Sequence, residues 1–80
     1  MDRPKDFIAR QLGDAVDREE AQRRNNRGAQ RLLDGDIGGA WVDCREALAL
    51  DPGNPATLNN LGFIRARQGR FAEAINYYRR

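Results

Sequence analysis

The sequence predicts an all-α fold in which antiparallel helical hairpins stack one after another. Three observations predict this fold. The chain repeats itself at an interval of 34 residues, and glycine and proline residues fall where helices end and begin. In addition, no segment alternates strictly between apolar and polar residues, as a half-buried strand would. With 80 residues, the chain has the length of one small domain.

The repeat is visible when the sequence is shifted by 34 residues against itself. Residues 21–46 then align with residues 55–80, and seven of these 26 positions are identical, whereas about two would be expected from ordinary composition. The identical pairs are Asn25 and Asn59, Asn26 and Asn60, Gly28 and Gly62, Arg31 and Arg65, Gly35 and Gly69, Ala40 and Ala74, and Arg45 and Arg79. Glycine inside a helix costs about 0.8–1 kcal/mol relative to alanine. Gly28 and Gly62 are therefore expected where two helices approach closely.

The first segment of the chain, residues 1–17, is expected to form an N-terminal capping helix. Apolar residues recur there at helical spacing and would cover the start of the array. They are Phe7, Ile8, Leu12, Ala15 and Val16. Because several of them lie 34 residues before apolar residues of the next segment, we interpret residues 1–17 as the degenerate remnant of a preceding repeat.

Two hairpin repeats follow the capping segment. The predicted helices are Arg18–Asp34 and Ile37–Leu50 in repeat 1, residues 18–54, and Pro55–Gln68 and Phe71 onward in repeat 2, residues 55–80. Gly35 and Gly69 are expected to adopt the left-handed conformation that ends a helix. Asn54 is suited to cap the next helix, and Pro55 suits the first helical position. Repeat 2 is expected to be truncated in its second helix.

These features resemble the tetratricopeptide repeat, whose 34-residue period, paired helices and Gly, Ala and Pro signature the chain shares. The resemblance covers Ala21 to Arg80. The matching residues are Gly28, Gly35, Asp36, Ala40, Ala47, Leu50, Asp51 and Pro52 in repeat 1, and Leu58, Leu61, Gly62, Gly69, Phe71, Ala74 and Tyr78 in repeat 2. It implies a short right-handed superhelix, an α-solenoid, whose inner groove is lined by the first helix of each repeat.

The resemblance also points to candidate partner-binding residues in that groove. They are Asn25, Asn26 and Leu33 in repeat 1, and Asn59, Asn60, Phe63 and Arg67 in repeat 2. A side-chain amide both donates and accepts hydrogen bonds, so the asparagines could bind the backbone of an extended peptide. The alternative is that they are solvated or form hydrogen bonds within the fold.

Arg24, Arg27 and Arg31 are the most prominent charged feature, because spacings of three and four place them on one helix face. They are candidate contacts for an anion, since a guanidinium group can hold a carboxylate or a phosphate with two hydrogen bonds. The alternative is a solvated face on which Glu19 and Glu20 pair with the arginines of the next helical turn.

Composition excludes several classes of function. The sequence contains no histidine, which removes imidazole-based catalysis and histidine-containing zinc sites. We therefore expect no catalytic residues, no metal site and no cofactor. The net charge of +2 is too small to indicate nucleic acid or a membrane surface by itself, and no stretch is apolar enough for a membrane span. A single cysteine, Cys44, suggests a reducing compartment, with the cytoplasm as the expected location.

Taken together, the sequence predicts a protein–protein interaction module, not an enzyme, that binds a peptide or protein segment in the groove lined by the first helices. One alternative is a self-association module that assembles as a homo-oligomer through the exposed ends of the array or by exchanging a helical hairpin. A third alternative, binding of nucleic acid through the arginine face, lacks the lysine clusters and interleaved aromatic residues that this function usually shows.

Overall fold

A computed structural model describes residues 4–80 of the chain. This range forms four α-helices and contains no β-strand. The helices are α1, Pro4–Leu33; α2, Ile37–Leu50; α3, Pro55–Arg67; and α4, Phe71–Arg79. Consecutive helices pack against each other, and α1 also contacts α3. The all-α prediction of stacked helical hairpins is therefore confirmed.

The two hairpin turns form where the glycines predict them. Gly35 has a φ angle of 86° and Gly69 one of 76°, which lie in the left-handed region that glycine adopts without steric cost. The backbone N–H of the residue after each glycine returns to the preceding helix, from Asp36 to Arg31 at 2.8 Å and from Arg70 to Arg65 at 2.8 Å. Each turn thus closes a helix and reverses the chain within three residues.

Side-chain caps fix the starts of α2 and α3. The Asp36 carboxylate accepts a hydrogen bond from the Gly39 backbone N–H at 2.9 Å, and Asn54 Oδ1 accepts one from Ala56 N–H at 3.0 Å. Both caps satisfy donors that have no partner inside the helix. Pro55 occupies the first position of α3, as predicted, where its missing N–H leaves no bond unmade.

The core lies where α2 and α3 meet. Its buried members are Ala40, Cys44, Leu61 and Ile64, with Leu32, Ile37, Trp41, Leu48 and Tyr77 packed around them. The core joins the two hairpins, because α2 belongs to the first and α3 to the second. Burial raises the pKa of the Cys44 thiol to about 11, since the thiolate would lose its hydration there.

The contact between α1 and α2 depends on Gly28. A Cβ atom at this position would lie 2.6 Å from Cys44 Sγ and 3.4 Å from the Ala40 carbonyl oxygen. A Cβ at Gly62 would likewise lie 2.6 Å from the Tyr78 ring of α4. The prediction that both glycines mark close helix approaches is confirmed.

The N-terminal half of the chain differs from the prediction. No helix break separates residues 1–17 from repeat 1, because α1 runs without interruption from Pro4 to Leu33. Residues 1–3 of the predicted cap lie outside the described range. The predicted packing is also wrong: the side chains of Phe7, Ile8, Leu12 and Val16 are exposed and do not cover the array. Polar residues join the two segments without a glycine or proline that would end the helix.

We predict that Gly28→Ala lowers the free energy of unfolding by up to about 2 kcal/mol. Overpacking of a buried contact costs about 1–3 kcal/mol, and the better helix propensity of alanine returns about 1 kcal/mol. Adding Cys44→Ala should recover part of the loss, because it removes the sulfur atom that the new methyl group meets. Urea denaturation followed by circular dichroism measures both effects.

The matched control is Gly38→Ala. It makes the same change in the first turn of α2, where an added Cβ has no heavy atom within 4 Å. This variant should be stabilised by about 0.5–1 kcal/mol, because the unfolded chain loses conformational freedom. Equal effects of the two substitutions would contradict the close approach at Gly28.

Candidate functional site

The candidate groove is formed by α1 and α3, the first helices of the two hairpins. Asn60 Nδ2 donates a hydrogen bond of 2.9 Å to Asn25 Oδ1 across the two helices. Asn25 is buried, with 4% of its surface exposed, and the Cys44 thiol lies 3.9 Å from the same oxygen. For Asn25 and Asn60, the structure therefore shows the alternative of hydrogen bonding within the fold.

The other two asparagines remain at the surface. Asn26 and Asn59 are both exposed, and Asn26 Oδ1 accepts a hydrogen bond of 2.9 Å from Gln22 one turn earlier. Each of them is the sequence neighbour of an asparagine that takes part in the Asn25–Asn60 hydrogen bond. The repeated Asn-Asn sequence thus supplies one residue that joins the helices and one that faces solvent in each repeat.

Apolar and basic side chains accompany the exposed asparagines. Phe63 of α3 is 44% exposed, and the Arg67 guanidinium lies 5.7 Å from the centre of its ring. Leu33, the last residue of α1, is 82% exposed. We call this surface the first-helix face; it consists of Asn26, Leu33, Asn59, Phe63 and Arg67.

The three candidate anion-binding arginines lie against carboxylates of the neighbouring helix. Arg24 donates a hydrogen bond of 2.6 Å to Glu46, and Arg27 donates one of 2.8 Å to Asp43. Arg31 Nε lies 2.8 Å from the second oxygen of Asp43. The Asp43 side chain is only 4% exposed, and a carboxylate this deeply buried is stable only beside cations. Much of the positive charge of these arginines is therefore balanced within the hairpin.

The sequence signal for these ion pairs was incomplete. The pairs of Glu19 with Arg23 and of Glu20 with Arg24 are present, as one alternative predicted. The carboxylates of α2, Asp43 and Glu46, could not be assigned as partners from helical spacing, because they lie on a different helix. The paired residues are 12 to 22 positions apart along the chain, so only the turn at Gly35 brings them together.

Two carboxylates of this network have shifted pKa values. Hydrogen bonds from Arg23 and Arg24 hold the pKa of Glu20 below its usual value, and the Gly39 backbone N–H, together with Arg31, lowers the pKa of Asp36. A lowered pKa means that the folded state favours the ionised carboxylate. The resulting stabilisation of the fold is complete above the pKa that these carboxyl groups have in the unfolded chain, about 4. It is lost as the pH falls through their pKa in the folded protein.

A second surface feature is a cleft of about 400 Å³ between α2, α3 and α4. Its lining consists of Trp41, Arg45, Arg65, Glu73, Asn76, Tyr77 and Arg80. The Arg65 guanidinium stacks 3.5 Å from the centre of the Trp41 ring, and Trp41 meets Tyr77 edge to face at 6.2 Å. The sequence analysis missed this cleft, because its walls come from three helices. Trp41 was the only signal, and it was compatible with ordinary core packing.

Residues 4–80 contain no group of three or more His, Cys, Asp or Glu side chains arranged to hold a metal ion. None of the four helices has the length and apolar character needed to cross a membrane.

Comparison with known proteins gives one match. Residues 44–76 match the model of a family described as tetratricopeptide repeat. The matched span begins in α2, includes all of α3 and ends in α4. The family resemblance inferred from the sequence is therefore confirmed over residues 44–76. No curated protein and no solved structure gives a significant match.

We predict that Asn60→Ala lowers the free energy of unfolding by about 1–2 kcal/mol, because the buried Asn25 oxygen loses its amide donor. A double-mutant cycle with Asn25→Ala should give a coupling energy of about 0.5–1.5 kcal/mol. The exposed neighbour Asn26→Ala serves as the control and should change stability by less than about 0.5 kcal/mol. Chemical denaturation gives all four values, and a coupling energy of zero would contradict the inter-helix bond.

We also predict that Cys44 resists alkylation while the protein is folded. At pH 8, a thiol with a pKa of about 11 is ionised about 100-fold less than an unperturbed thiol. Labelling of Cys44 by iodoacetamide should therefore be at least about 100-fold slower in buffer than in denaturant. Mass spectrometry measures the labelling rates. Comparable labelling rates in the two solutions would show that Cys44 is not buried.

Proposed function

We propose that the chain is a protein-interaction module that binds a peptide or protein segment along the first-helix face. The match of residues 44–76 to the tetratricopeptide-repeat model supports an interaction module in general. The observation that carries this proposal is the environment of Phe63. Its ring is 44% exposed beside the Arg67 guanidinium, on a helix that the Asn25–Asn60 hydrogen bond holds against α1. An aromatic residue and an arginine on a rigid surface are the residue types that contribute most to binding free energy.

The exposed groups indicate what kind of segment would bind. Asn26 and Asn59 can donate to and accept from a peptide backbone, whatever its sequence. Phe63 and Leu33 offer apolar surface, and Arg67 offers a guanidinium group to a carboxylate. We therefore expect an extended segment with an apolar residue next to an acidic residue.

The ion pairs of α1 support a protein ligand over a nucleic acid. Binding to phosphates requires arginines whose charge is available to the ligand. Arg24, Arg27 and Arg31 instead contact Glu46, Asp43 and Asp36. In this proposal these arginines hold α1 against α2, and the chain performs binding without catalysis or a cofactor.

The proposal places the protein in the cytoplasm. Its only cysteine is free and buried in the core. A free structural thiol suits a reducing compartment, where no disulfide is required for stability.

Self-association through α4 is a second candidate function. Phe71, Ile75 and Tyr78 are large hydrophobic residues of this helix that remain exposed. Their spacing of four and three places them along one side of α4. A second copy stacked on this surface would bury them, and exchange of a helical hairpin would have the same result. This function would be favoured if the wild-type protein forms oligomers and the Ile75→Glu variant is a monomer.

The test of peptide binding begins with selection of 12-residue peptides displayed in a random library against the wild-type protein. We predict that Phe63→Ala weakens binding of the selected peptides by at least about 10-fold, because truncating a central aromatic contact costs more than about 1.4 kcal/mol. Arg67→Ala should weaken peptides with acidic residues more than neutral ones. Fluorescence polarisation measures the dissociation constants.

The matched control for this experiment is Phe7→Ala. Phe7 has a similar exposure, 55%, but lies in the first two turns of α1, far from the first-helix face. Its removal should leave peptide affinity unchanged, and all variants should keep the helical circular dichroism of wild type. If Phe63→Ala binds the selected peptides with wild-type affinity, the proposal is wrong.

A further inference from the structure

The N-terminal half of α1 extends beyond the rest of the fold. Helix α1 has 30 residues, whereas its hairpin partner α2 has 14. Every residue from 5 to 19 is exposed, so this part of α1 projects by roughly 22 Å at 1.5 Å per residue. A helix of this length without packing contacts is only marginally stable in water. A binding partner along it would therefore stabilise it.

The projecting part carries one stripe of apolar residues with a charge at each end. The stripe consists of Lys5, Ile8, Leu12, Val16 and Glu19. At 100° per residue, all five lie within about 40° of Leu12 around the helix axis. Ile8, Leu12 and Val16 are 58%, 63% and 61% exposed, respectively. We call this surface the α1 stripe.

The α1 stripe faces away from the hairpin. Leu12 precedes the fully buried Ala21 by nine residues, which corresponds to a rotation of about half a turn. The side of α1 that packs on α2 is thus opposite the side that carries the stripe. A partner can therefore contact the α1 stripe without displacing α2.

The chemistry of the α1 stripe is symmetric about Leu12. Four residues before and after Leu12 lie the β-branched residues Ile8 and Val16, and seven residues before and after it lie a cation, Lys5, and an anion, Glu19. We propose that two copies of the chain pair through this stripe as antiparallel helices, with the two-fold axis at Leu12. Ile8 then packs against Val16 of the second copy, and Lys5 pairs with Glu19 of the second copy.

Small residues and charge both favour this arrangement. Ala9 and Ala15, three residues before and after Leu12, lie on the two shoulders of the stripe and let the helix backbones approach closely. A parallel pairing would instead place Lys5 against Lys5 and Glu19 against Glu19. Glu19 also contacts Arg23 of its own chain at 3.4 Å, but a carboxylate can accept hydrogen bonds from two cations.

The expected dimer is weak and depends on concentration. About four helical turns bury less than the ~1,200 Å² of a stable interface, so we expect a dissociation constant on the order of 10–100 μM. The dimer would hold two first-helix faces at its two ends. A ligand with two binding segments would then bind more tightly than one with a single segment.

Sedimentation equilibrium of the full chain tests the proposal. Protein concentrations from about 5 μM to 1 mM cover the expected dissociation constant. Wild type should change from monomer to dimer over this range. Leu12→Glu should raise the dissociation constant at least about 10-fold, because it places two carboxylates at the axis. Phe7→Glu is the matched control; Phe7 lies about 140° from Leu12 around the helix, and its substitution should leave the dimer intact.

Charge exchange tests the antiparallel orientation. Lys5→Glu alone and Glu19→Lys alone should each weaken the dimer by about 3- to 10-fold at low salt, because each creates two like-charge contacts. The double variant should recover the wild-type dissociation constant, since the opposite charges again meet across the axis. Three results would each overturn the proposal. They are a monomer at all concentrations, a dimer whose dissociation constant does not change with Leu12→Glu, and a double variant that dimerises more weakly than both single variants.

Discussion

The contact between α1 and α2 at Gly28 is the constraint on which the rest of the structure depends. With no side chain at this position, Cys44 and Ala40 approach the α1 backbone and enter the core. The same close approach places Asn25 of α1 beside Cys44 of α2 and within hydrogen-bond distance of Asn60 of α3. Separation of α1 from α2 would therefore disturb the hairpin, the core and the link between α1 and α3 together. Interiors pack densely, so the space for one methyl group decides the geometry of three helices.

Charge complements a small core in this protein. Only 40% of the residues are hydrophobic and 32% are charged, and the buried apolar cluster is composed of few side chains. The first hairpin places Asp43 in the α1–α2 contact and holds it with Arg27 and Arg31. Removal of these cations would leave an uncompensated buried charge, which is strongly destabilising. We therefore expect the network to favour the observed packing of α1 on α2 over arrangements that would leave Asp43 buried without a cation.

The two proposed interactions use different parts of α1. Its C-terminal half packs on α2 and contributes Asn26 and Leu33 to the first-helix face. Its N-terminal half makes no contact that buries it and carries the α1 stripe. Because one continuous helix spans both parts, a pairing of two stripes would stabilise the N-terminal half and fix the relative position of two first-helix faces. The fold thus separates the surface proposed for a ligand from the surface proposed for a second copy.

The sequence by itself determined the elements and their order. Local rules predict the bounds of α2, the starts of α3 and α4, the turns at Gly35 and Gly69, and the cap at Asn54. Each of these features depends on residues only a few positions apart. The resemblance to the tetratricopeptide repeat also came from fixed spacing along the chain. The continuity of α1 was missed because a weak repeat echo suggested a boundary that no helix-breaking residue enforces.

Only the tertiary structure decided the roles of individual polar side chains. Asn25 and Asn26 are neighbours with the same side chain, yet one joins two helices and the other faces solvent. The arginines of α1 similarly gained partners on α2 that helical spacing could not identify. The physical reason is that periodicity gives the face of a helix on which a residue lies, whereas the occupant of the space opposite that face depends on how distant segments pack.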